Sequence, residues 1–263
     1  MADERKAIFI TGGASGIGLA TAKLFASRGW TVGIADVNAA ALTAAGAMVP
    51  GSITYRMDVR DREAWAQTLD DFTGLTRRLD VLFNNAGIGV GGPLAEADFA
   101  DLDRVVAINF GGVLNGARIG YAYLARTPGS CLLNTASASA IYGSAGLATY
   151  SATKFAVRAL TEALDGEWAA AGINVRDIVP AFIETPLLDG GVAGSNRTIR
   201  DTVTDAGLEL TPVEAVAEAA WRAVHGQKLH TYVGKTADRM RFAARWMPGQ
   251  LRKMMRRGAV GRE

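Results

Sequence analysis

An apolar run that breaks into closely spaced glycines and then resumes with a helical pattern lies near the start of the chain, over residues 7–28. Gly12, Gly16 and Gly18 follow a strand-like segment, and residues 19–28 have the spacing of an amphipathic helix. Such glycines permit a tight turn, a close approach of backbone to a pyrophosphate and close packing of helix on strand. Glycine-rich turns also serve plain chain reversal, so a dinucleotide site is one of two interpretations of this βα unit.

Strand-like and helical segments alternate along the rest of the chain. The strand segments are almost continuously apolar, which is typical of a parallel sheet covered on both faces, and right-handed crossovers make such a sheet doubly wound. The sequence therefore predicts an α/β fold, a single-domain, Rossmann-like, doubly wound, seven-stranded parallel sheet with helices on both faces. Beyond the first unit, strands are predicted over residues 31–35, 53–57, 81–83, 131–134, 174–179 and 231–233, and helices over residues 61–75, 98–126 and 150–171.

The C-terminal part of the chain carries two further patterns. A capping box of Thr211 and Glu214, with a proline between them, predicts a helix start. Residues 239–263 contain eight basic residues and one acidic residue, arranged as a basic amphipathic helix. We therefore divide the chain into a main domain, 1–238, and a C-terminal extension, 239–263, that belongs to the same unit.

Composition limits where the protein acts and what it binds. The chain has 263 residues, 49% of them hydrophobic, but no apolar run long enough to span a membrane. The first residues lead into the first strand without a signal-peptide pattern, so we expect a cytoplasmic protein. The net charge is +2, and the basic residues are concentrated at the C-terminus rather than spread over the body. We therefore expect no nucleic-acid partner.

Three residues bear on metal binding. Cys131, the single cysteine, lies in an apolar run and is expected to be a buried thiol. His225 and His230 have no cysteine nearby and are expected to be ordinary surface or helix-end histidines. The sequence therefore predicts no metal site.

Asp36 is predicted at the carboxyl end of the second strand. A carboxylate there accepts hydrogen bonds from the adenosine ribose of a dinucleotide and repels the 2′-phosphate of NADP. Gly13, Val37 and Asn38 add no cation that could hold a phosphate. A solvated aspartate at a strand end is the alternative interpretation. If the glycine-rich turn binds a dinucleotide, the sequence favours NAD over NADP.

Tyr150 and Lys154 are four residues apart in a predicted helix, so their side chains lie on one face. A nearby ammonium group favours phenolate and is expected to lower the pKa of Tyr150 toward the range useful for acid–base catalysis. Ser137 follows the fifth strand, at the edge where open parallel sheets bind ligands, and Asn109 is a polar residue between apolar neighbours of a helix. Each also has a structural interpretation, as a surface pair, a turn serine and a buried amide.

Taken together, these residues resemble the short-chain dehydrogenase/reductase family in its shorter, single-domain form. The resemblance covers roughly residues 6–235. It depends on Thr11-Gly12-x-x-x-Gly16-x-Gly18, Asp58, Asn84-Asn85-Ala86-Gly87, Asn109, Ser137, Tyr150 and Lys154, which occur in the family's order.

The resemblance implies a role for each catalytic residue. Tyr150 would be the acid/base, Ser137 would hydrogen-bond the substrate oxygen, and Lys154 would bind the nicotinamide ribose. Asn109 would position a water molecule of the proton relay. Ala181 replaces the glycine that usually follows Pro180. The residues expected to bind NAD are Gly12, Ser15, Gly16, Ile17, Gly18, Asp36, Asp58, Val59, Asn85, Ala86, Gly87, Tyr150, Lys154, Pro180, Ile183 and Thr185.

The expected reaction interconverts a secondary alcohol and a ketone with NAD(H), and the expected substrate is bulky and hydrophobic. Two alternatives stay open. A reductase of the 3-oxoacyl-carrier-protein type would prefer NADPH, against which Asp36 argues. A non-catalytic NAD-binding scaffold typically lacks a member of the catalytic set, whereas all four are present here. The residues expected to bind substrate are Ser137, Tyr150, Val90, Ile141, Tyr142, Phe182, Leu187 and Leu188.

The resemblance also implies a homo-oligomer, a dimer of dimers, in which the helices over residues 98–126 and 150–171 pair between subunits. For the extension, residues 239–263, three roles are open: a wall of the substrate pocket, an oligomer contact, or contact with an anionic membrane surface. Packing within the protein is the expectation, because helices of this kind more often pack on their own oligomer.

Overall fold

Seven parallel strands form one sheet at the centre of the molecule. The computed structural model describes residues 5–189, 198–205, 207 and 209–260. The strand order is β3-β2-β1-β4-β5-β6-β7, and every neighbouring pair is parallel. This arrangement confirms the predicted doubly wound sheet. The strands are β1 (Ala7–Thr11), β2 (Thr31–Asp36), β3 (Ile53–Arg56), β4 (Val81–Asn84), β5 (Cys131–Thr135), β6 (Asn174–Pro180) and β7 (His230–Val233).

Helices cover both faces of the sheet because successive residues of each strand face opposite sides. In β1, Ile8 and Ile10 belong to the core on one side, and Phe9 belongs to the core on the other. The first core also receives Phe25 and the second Trp65, both fully buried. The α-helices of the described residues are α1 (Gly16–Ser27), α2 (Ala39–Met48), α3 (Arg62–Thr76), α4 (Phe99–Val106), α5 (Val113–Leu124), α6 (Ala148–Trp168), α7 (Ile199–Asp205), α8 (Val213–His225), α9 (Lys235–Trp246) and α10 (Pro248–Val260).

The long helix predicted over residues 98–126 is interrupted. A π-helical segment, Ala107–Gly112, separates α4 from α5. Such segments occur inside α-helices and are frequent at functional sites. Gly112 allows the segment to lie against the chain before α3, since a Cβ atom there would be 2.6 Å from Val59 Cγ2.

The predicted capping box at Thr211 is wrong. Helix α8 begins at Val213, Pro212 occupies the N-cap position, and no side chain caps the helix. Thr211 instead forms a parallel bridge with Ile183, in which its N–H donates to the Phe182 carbonyl at 2.8 Å. The backbone of Thr211 thus holds the loop after β6 in place.

Two other expectations are affected by packing at the C-terminal end of the chain. The predicted boundary at residue 238 falls inside α9, which begins directly after β7. His230 is not an ordinary surface histidine, because its Nδ1 lies 2.9 Å from the fully buried Asp177 carboxylate and its Nε2 3.1 Å from Glu162.

Cys131 is buried, as expected, and burial raises the pKa of its thiol to about 12. Within the described ranges, none of the helices has both the length and the apolarity that crossing a bilayer requires.

Candidate active site

A cavity of about 480 Å³ lies at the carboxyl edge of the sheet, where the ends of six strands, β1 to β6, meet the loops that follow them. Open parallel sheets bind their ligands at this edge. Of the residues expected at the site, those that line the cavity are Gly12, Ser15, Gly16, Ile17, Asp36, Asp58, Val59, Asn85, Ala86, Gly87, Ser137, Tyr150, Lys154, Pro180, Phe182, Ile183, Thr185 and Leu188.

The turn between β1 and α1 has the shape of a phosphate cradle. Gly12 and Gly16 have φ values of +60° and +50°, which favour glycine, and a Cβ atom on Gly12 would be 2.8 Å from Ala86 Cα. Ser15 is the N-cap of α1 but makes no side-chain cap bond, and the first turn holds no acidic residue. The first N–H groups of this helix can therefore bind an anion, so the turn fits the pyrophosphate of a dinucleotide.

Gly18 has a packing role instead of lining the cavity. A Cβ atom there would collide with the Gly12 carbonyl oxygen and lie 2.8 Å from Asn85 Nδ2. The Asn85 side chain also ties the turn to the end of β4, because its Nδ2 donates to the Thr11 carbonyl at 3.0 Å. The glycine-rich turn is thus fixed from the neighbouring strand.

Asp36 lies at the end of β2, and hydrogen bonds from backbone N–H groups hold its carboxylate. It accepts hydrogen bonds from the N–H groups of Asn38, at 3.1 Å, and Ala14, at 3.3 Å. Arg60 lines the same cavity and adds a cation that the residues beside Asp36 in the sequence do not reveal. The Arg60 guanidinium pairs with Asp58 at 2.6 Å and lowers the pKa of that carboxyl group. The signal available in the sequence was the Asp58-Val59-Arg60 stretch just after β3.

Ser137, Tyr150 and Lys154 come from two elements that meet above the sheet edge. Ser137 follows β5, and its Oγ accepts a hydrogen bond from the Ser139 N–H at 3.2 Å. Lys154 is buried in α6, where its Nζ donates to the Thr135 carbonyl at 2.8 Å and lies 5.7 Å from the centre of the Tyr150 ring. The i, i+4 spacing thus sets both side chains beside the end of β5.

The pKa expected for Tyr150 is wrong. Burial raises the pKa of the Tyr150 phenol, and a side-chain hydrogen bond with Ser137 offsets this only in part. Burial also lowers the pKa of Lys154 to about 8, because the charged form is penalised in a poorly solvated site. The Lys154 ammonium lies over the Tyr150 ring and is bound to a carbonyl, so the charge effect inferred from spacing does not dominate.

Asn109 lies behind the cavity, in the π-helical segment, and is fully buried. Its carboxamide bonds the backbone of Ile88, which does line the cavity. Its Nδ2 also lies 3.5 Å from Thr153 Oγ1, next to Lys154. Asn109 is therefore in contact with the loop after β4 and with α6.

The substrate wall differs from the expected one. Val90, Ile141 and Tyr142 do not line the cavity, and the side chain of Leu187 lies outside the described residues. Ile141 follows a 3₁₀ turn, Ala138–Ala140, and packs half-buried against a small core cluster. Tyr142 lines a separate surface cavity beside α10. Two of the expected residues, Phe182 and Leu188, do line the cavity, and the apolar side chains of Leu147 and Met240 line it with them.

Met240 lies in the C-terminal extension and is not among the residues expected to bind substrate, although a wall of the substrate pocket is one of the three roles open for that extension. Helix α9 folds back over the sheet edge, where Met240 packs with Ala138 and reaches the cavity.

Ala181 keeps an ordinary backbone conformation, since Arg77 is the only non-glycine residue with a positive φ in the described part of the chain. The loop after β6 therefore accommodates alanine in place of glycine.

Comparison with known proteins decides the family. The family model described as short chain dehydrogenase matches residues 6–193. This chain belongs to the short-chain dehydrogenase family. The resemblance seen in the sequence is thereby confirmed. A crystal structure of a short-chain dehydrogenase/reductase from Burkholderia phymatum, in complex with NAD, superposes with a TM-score of 0.83 and 25% identity over 97% of this chain and 96% of that one.

Three relatives differ in the substrates that their names give. The chain is 31% identical to meso-2,3-butanediol dehydrogenase of Serratia marcescens, over 89% of this chain and 96% of that enzyme. It is 36% identical to cis-4-hydroxycyclohexanecarboxylate dehydrogenase of Sinomonas cyclohexanicum, over 82% and 87%. It is 35% identical to the 3-oxoacyl-[acyl-carrier-protein] reductase of Thermotoga maritima, over 71% and 77%. This short-chain dehydrogenase is therefore an oxidoreductase, with relatives that act on alcohols or ketones.

Proposed function

We propose that this short-chain dehydrogenase interconverts a bulky, apolar secondary alcohol and its ketone, with NAD(H) as cofactor and Tyr150 as the acid/base. The observation that carries the proposal is the meeting of Ser137, Tyr150 and Lys154 at one cavity whose far wall is apolar. A hydroxyl and a phenol that touch the same space can hold one substrate oxygen between them.

The chain's own residues handle the substrate oxygen and its proton. Ser137 Oγ orients the oxygen, and Tyr150 Oη takes the proton from an alcohol or gives it to a ketone. Lys154 holds α6 against the end of β5 through the Thr135 carbonyl. A bound nicotinamide accepts or returns the hydride, which is the difficult step of the reaction. The α1 N-terminus would hold its pyrophosphate and Asp36 its adenosine ribose.

NAD is the proposed cofactor because the wall near the adenosine ribose carries a carboxylate. Asp36 is fixed by two backbone N–H groups, so it cannot easily turn away from a 2′-phosphate. Arg60 is occupied by Asp58 at 2.6 Å. The structure from Burkholderia phymatum that this chain resembles contains NAD.

The two alternatives are weaker. The relative from Thermotoga maritima favours a reductase of 3-oxoacyl groups on a carrier protein, which we expect to prefer NADPH, and Asp36 opposes that cofactor. A non-catalytic scaffold would leave the Ser137–Tyr150–Lys154 arrangement without a purpose. The relatives named for butanediol and hydroxycyclohexanecarboxylate act on secondary alcohols, which agrees with the proposed reaction.

Self-association into a dimer of dimers is part of the proposal. Leu114 and Tyr121 of α5 are 43% and 38% exposed, and Phe155 of α6 is 42% exposed. Burial of such side chains against a second copy is favourable. Light scattering at micromolar concentration should give four chains, and a monomer would contradict this part.

The test is a comparison of NAD with NADP on a graded panel of secondary alcohols and ketones. We expect higher kcat/KM with NAD, and values that rise from small polar to larger apolar substrates. Faster turnover with NADPH and 3-oxoacyl thioesters would favour the carrier-protein alternative. Tight NADH binding without turnover of any member would favour the scaffold.

A further inference from the structure

The outward side of α9 exposes two aromatic side chains among basic residues. Phe242 is 59% and Trp246 69% exposed, and helical spacing places them opposite the buried Ala237 and Met240. Helix α9 is thus already packed on the body through its inner side, and the pair is left uncovered. We call Phe242, Trp246 and the exposed Lys235, Arg239 and Arg245 the basic-aromatic face.

Helix α10 continues the same character. Leu251 is buried, while Met254 is 56% exposed. Arg252, Lys253 and Arg256 are exposed as well. The two helices and the residue between them expose four large apolar side chains to water, those of Phe242, Trp246, Met247 and Met254. Exposed apolar side chains grouped in this way do not stabilise a monomer and often mark an interaction site.

The charge on this surface is almost entirely of one sign. Within the described part of the chain, the ion pairs of the two helices are limited to Arg241–Asp238, at 4.0 Å. The Arg245 guanidinium lies 5.7 Å from the centre of the Trp246 ring, so cation and aromatic side chain point the same way. The basic residues from 235 to 256 are Lys235, Arg239, Arg241, Arg245, Arg252, Lys253 and Arg256, and the acidic one is Asp238.

We propose that the basic-aromatic face docks on an anionic lipid bilayer, with Phe242 and Trp246 at the boundary between head groups and acyl chains. Aromatic and basic residues on one side of a helix fit that interface, because the rings leave water while the long basic side chains reach the lipid phosphates. A second copy is a poorer occupant, since a two-fold axis would set this basic surface against itself. A nucleic acid would neutralise the charge but offers no apolar layer for the exposed side chains.

Docking would connect the bilayer with the catalytic cavity. Met240 lies on the inner side of the same helix and lines that cavity. A bound α9 would hold this wall close to the phase in which apolar alcohols partition. This consequence rests on the proposed function, whereas bilayer binding itself does not.

The test uses the full chain with two kinds of vesicle, pure phosphatidylcholine and phosphatidylcholine mixed with phosphatidylglycerol. We expect flotation with the anionic vesicles only, and release by salt. Since each basic residue near an anionic surface changes affinity about fivefold, Arg239→Glu with Arg245→Glu should weaken binding at least about tenfold. Trp246→Ala should weaken it several-fold and leave turnover of a water-soluble substrate unchanged.

Matched controls come from other surfaces. Phe99→Ala removes an aromatic side chain that is 81% exposed on α4, and Lys23→Glu reverses an exposed charge on α1. Both should bind vesicles like the wild type. Equal losses in these controls, or no flotation of the wild type, would overturn the proposal.

Three further results would also overturn it. The first is that the protein binds a mixed-sequence DNA duplex more tightly than it binds the vesicles. The second is that Trp246→Ala changes the oligomeric state while the wild type does not bind vesicles. The third is that Trp246→Ala loses turnover while its vesicle binding is unchanged. Because flotation does not depend on turnover, the vesicle experiment tests bilayer binding even if the dehydrogenase proposal fails.

Discussion

The side-chain amide of Asn109 bonds both backbone polar atoms of Ile88. Asn109 Oδ1 accepts from the Ile88 N–H at 2.8 Å, and Asn109 Nδ2 donates to the Ile88 carbonyl at 2.9 Å. A Cβ atom on Gly87 would lie 3.4 Å from Asn109 Oδ1 and 3.6 Å from Lys154 Nζ. The π-helical segment thus fixes the loop after β4 directly beside the buried lysine.

Asn109→Leu should destabilise the protein by about 2–4 kcal/mol, because it leaves two partly buried backbone groups without partners. Urea unfolding measures the loss. Asn115→Leu is the matched control on α5, because the Val59 carbonyl that loses the Asn115 bond still accepts one from Trp65 Nε1 at 2.9 Å, and it should cost about 1 kcal/mol or less. Equal losses of unfolding free energy in the two variants would contradict the role of Asn109 in holding the Ile88 backbone.

Tyr150→Phe should lower kcat by a factor of about 10²–10⁴, since it removes the proton donor and keeps the ring. NADH affinity, measured by fluorescence titration, should stay within about twofold because only a hydroxyl is lost. Tyr142→Phe is the control, because Tyr142 lies outside the cavity and should retain full activity. Substantial turnover by Tyr150→Phe at saturating cofactor would rule out the assigned role.

Lys154 should make stability depend on pH in the alkaline range. The folded protein releases this proton near pH 8, whereas the unfolded chain holds it up to the ordinary pKa of 10.5. The unfolded state therefore binds more protons between these values, and stability rises with pH by up to about 3 kcal/mol. The difference in unfolding free energy between wild type and Lys154→Met isolates this effect from the tyrosines. A difference that is flat from pH 8 to 10 would show that the ammonium is not desolvated.

Asp36→Ala should lower the ratio of kcat/KM for NAD to that for NADP at least about tenfold, because it removes charge-assisted hydrogen bonds to the ribose and the repulsion of a 2′-phosphate. Asp103→Ala removes an exposed carboxylate from α4 and should leave the ratio unchanged. A wild-type enzyme that is already faster with NADPH would overturn the cofactor assignment.

His230→Phe should cost about 3–5 kcal/mol at neutral pH, since it strands the buried Asp177 carboxylate, whose pKa burial already raises. His225→Phe retains the stacking on Trp221 and should cost about 1 kcal/mol or less. Equal losses of stability in His230→Phe and His225→Phe would contradict the pairing of His230 with Asp177.

Much of the framework follows from local sequence patterns. The strands lie within one or two residues of their predicted bounds, because a buried parallel strand requires a continuous apolar run. The glycine-rich turn and the Tyr150–Lys154 pair are likewise readable, since backbone conformation at glycine and the i, i+4 relation in a helix are properties of short segments.

Only the tertiary structure decided which distant residues meet. Arg60 stands in the same cavity as Asp36, Met240 closes the substrate wall from α9, and His230 reaches Asp177 from the neighbouring strand. It also reversed the pKa expected for Tyr150, because burial outweighs the effect of a neighbouring charge. These outcomes depend on strand order, helix packing and exclusion of water, which are set by contacts across the whole chain and leave no mark in any short stretch of sequence.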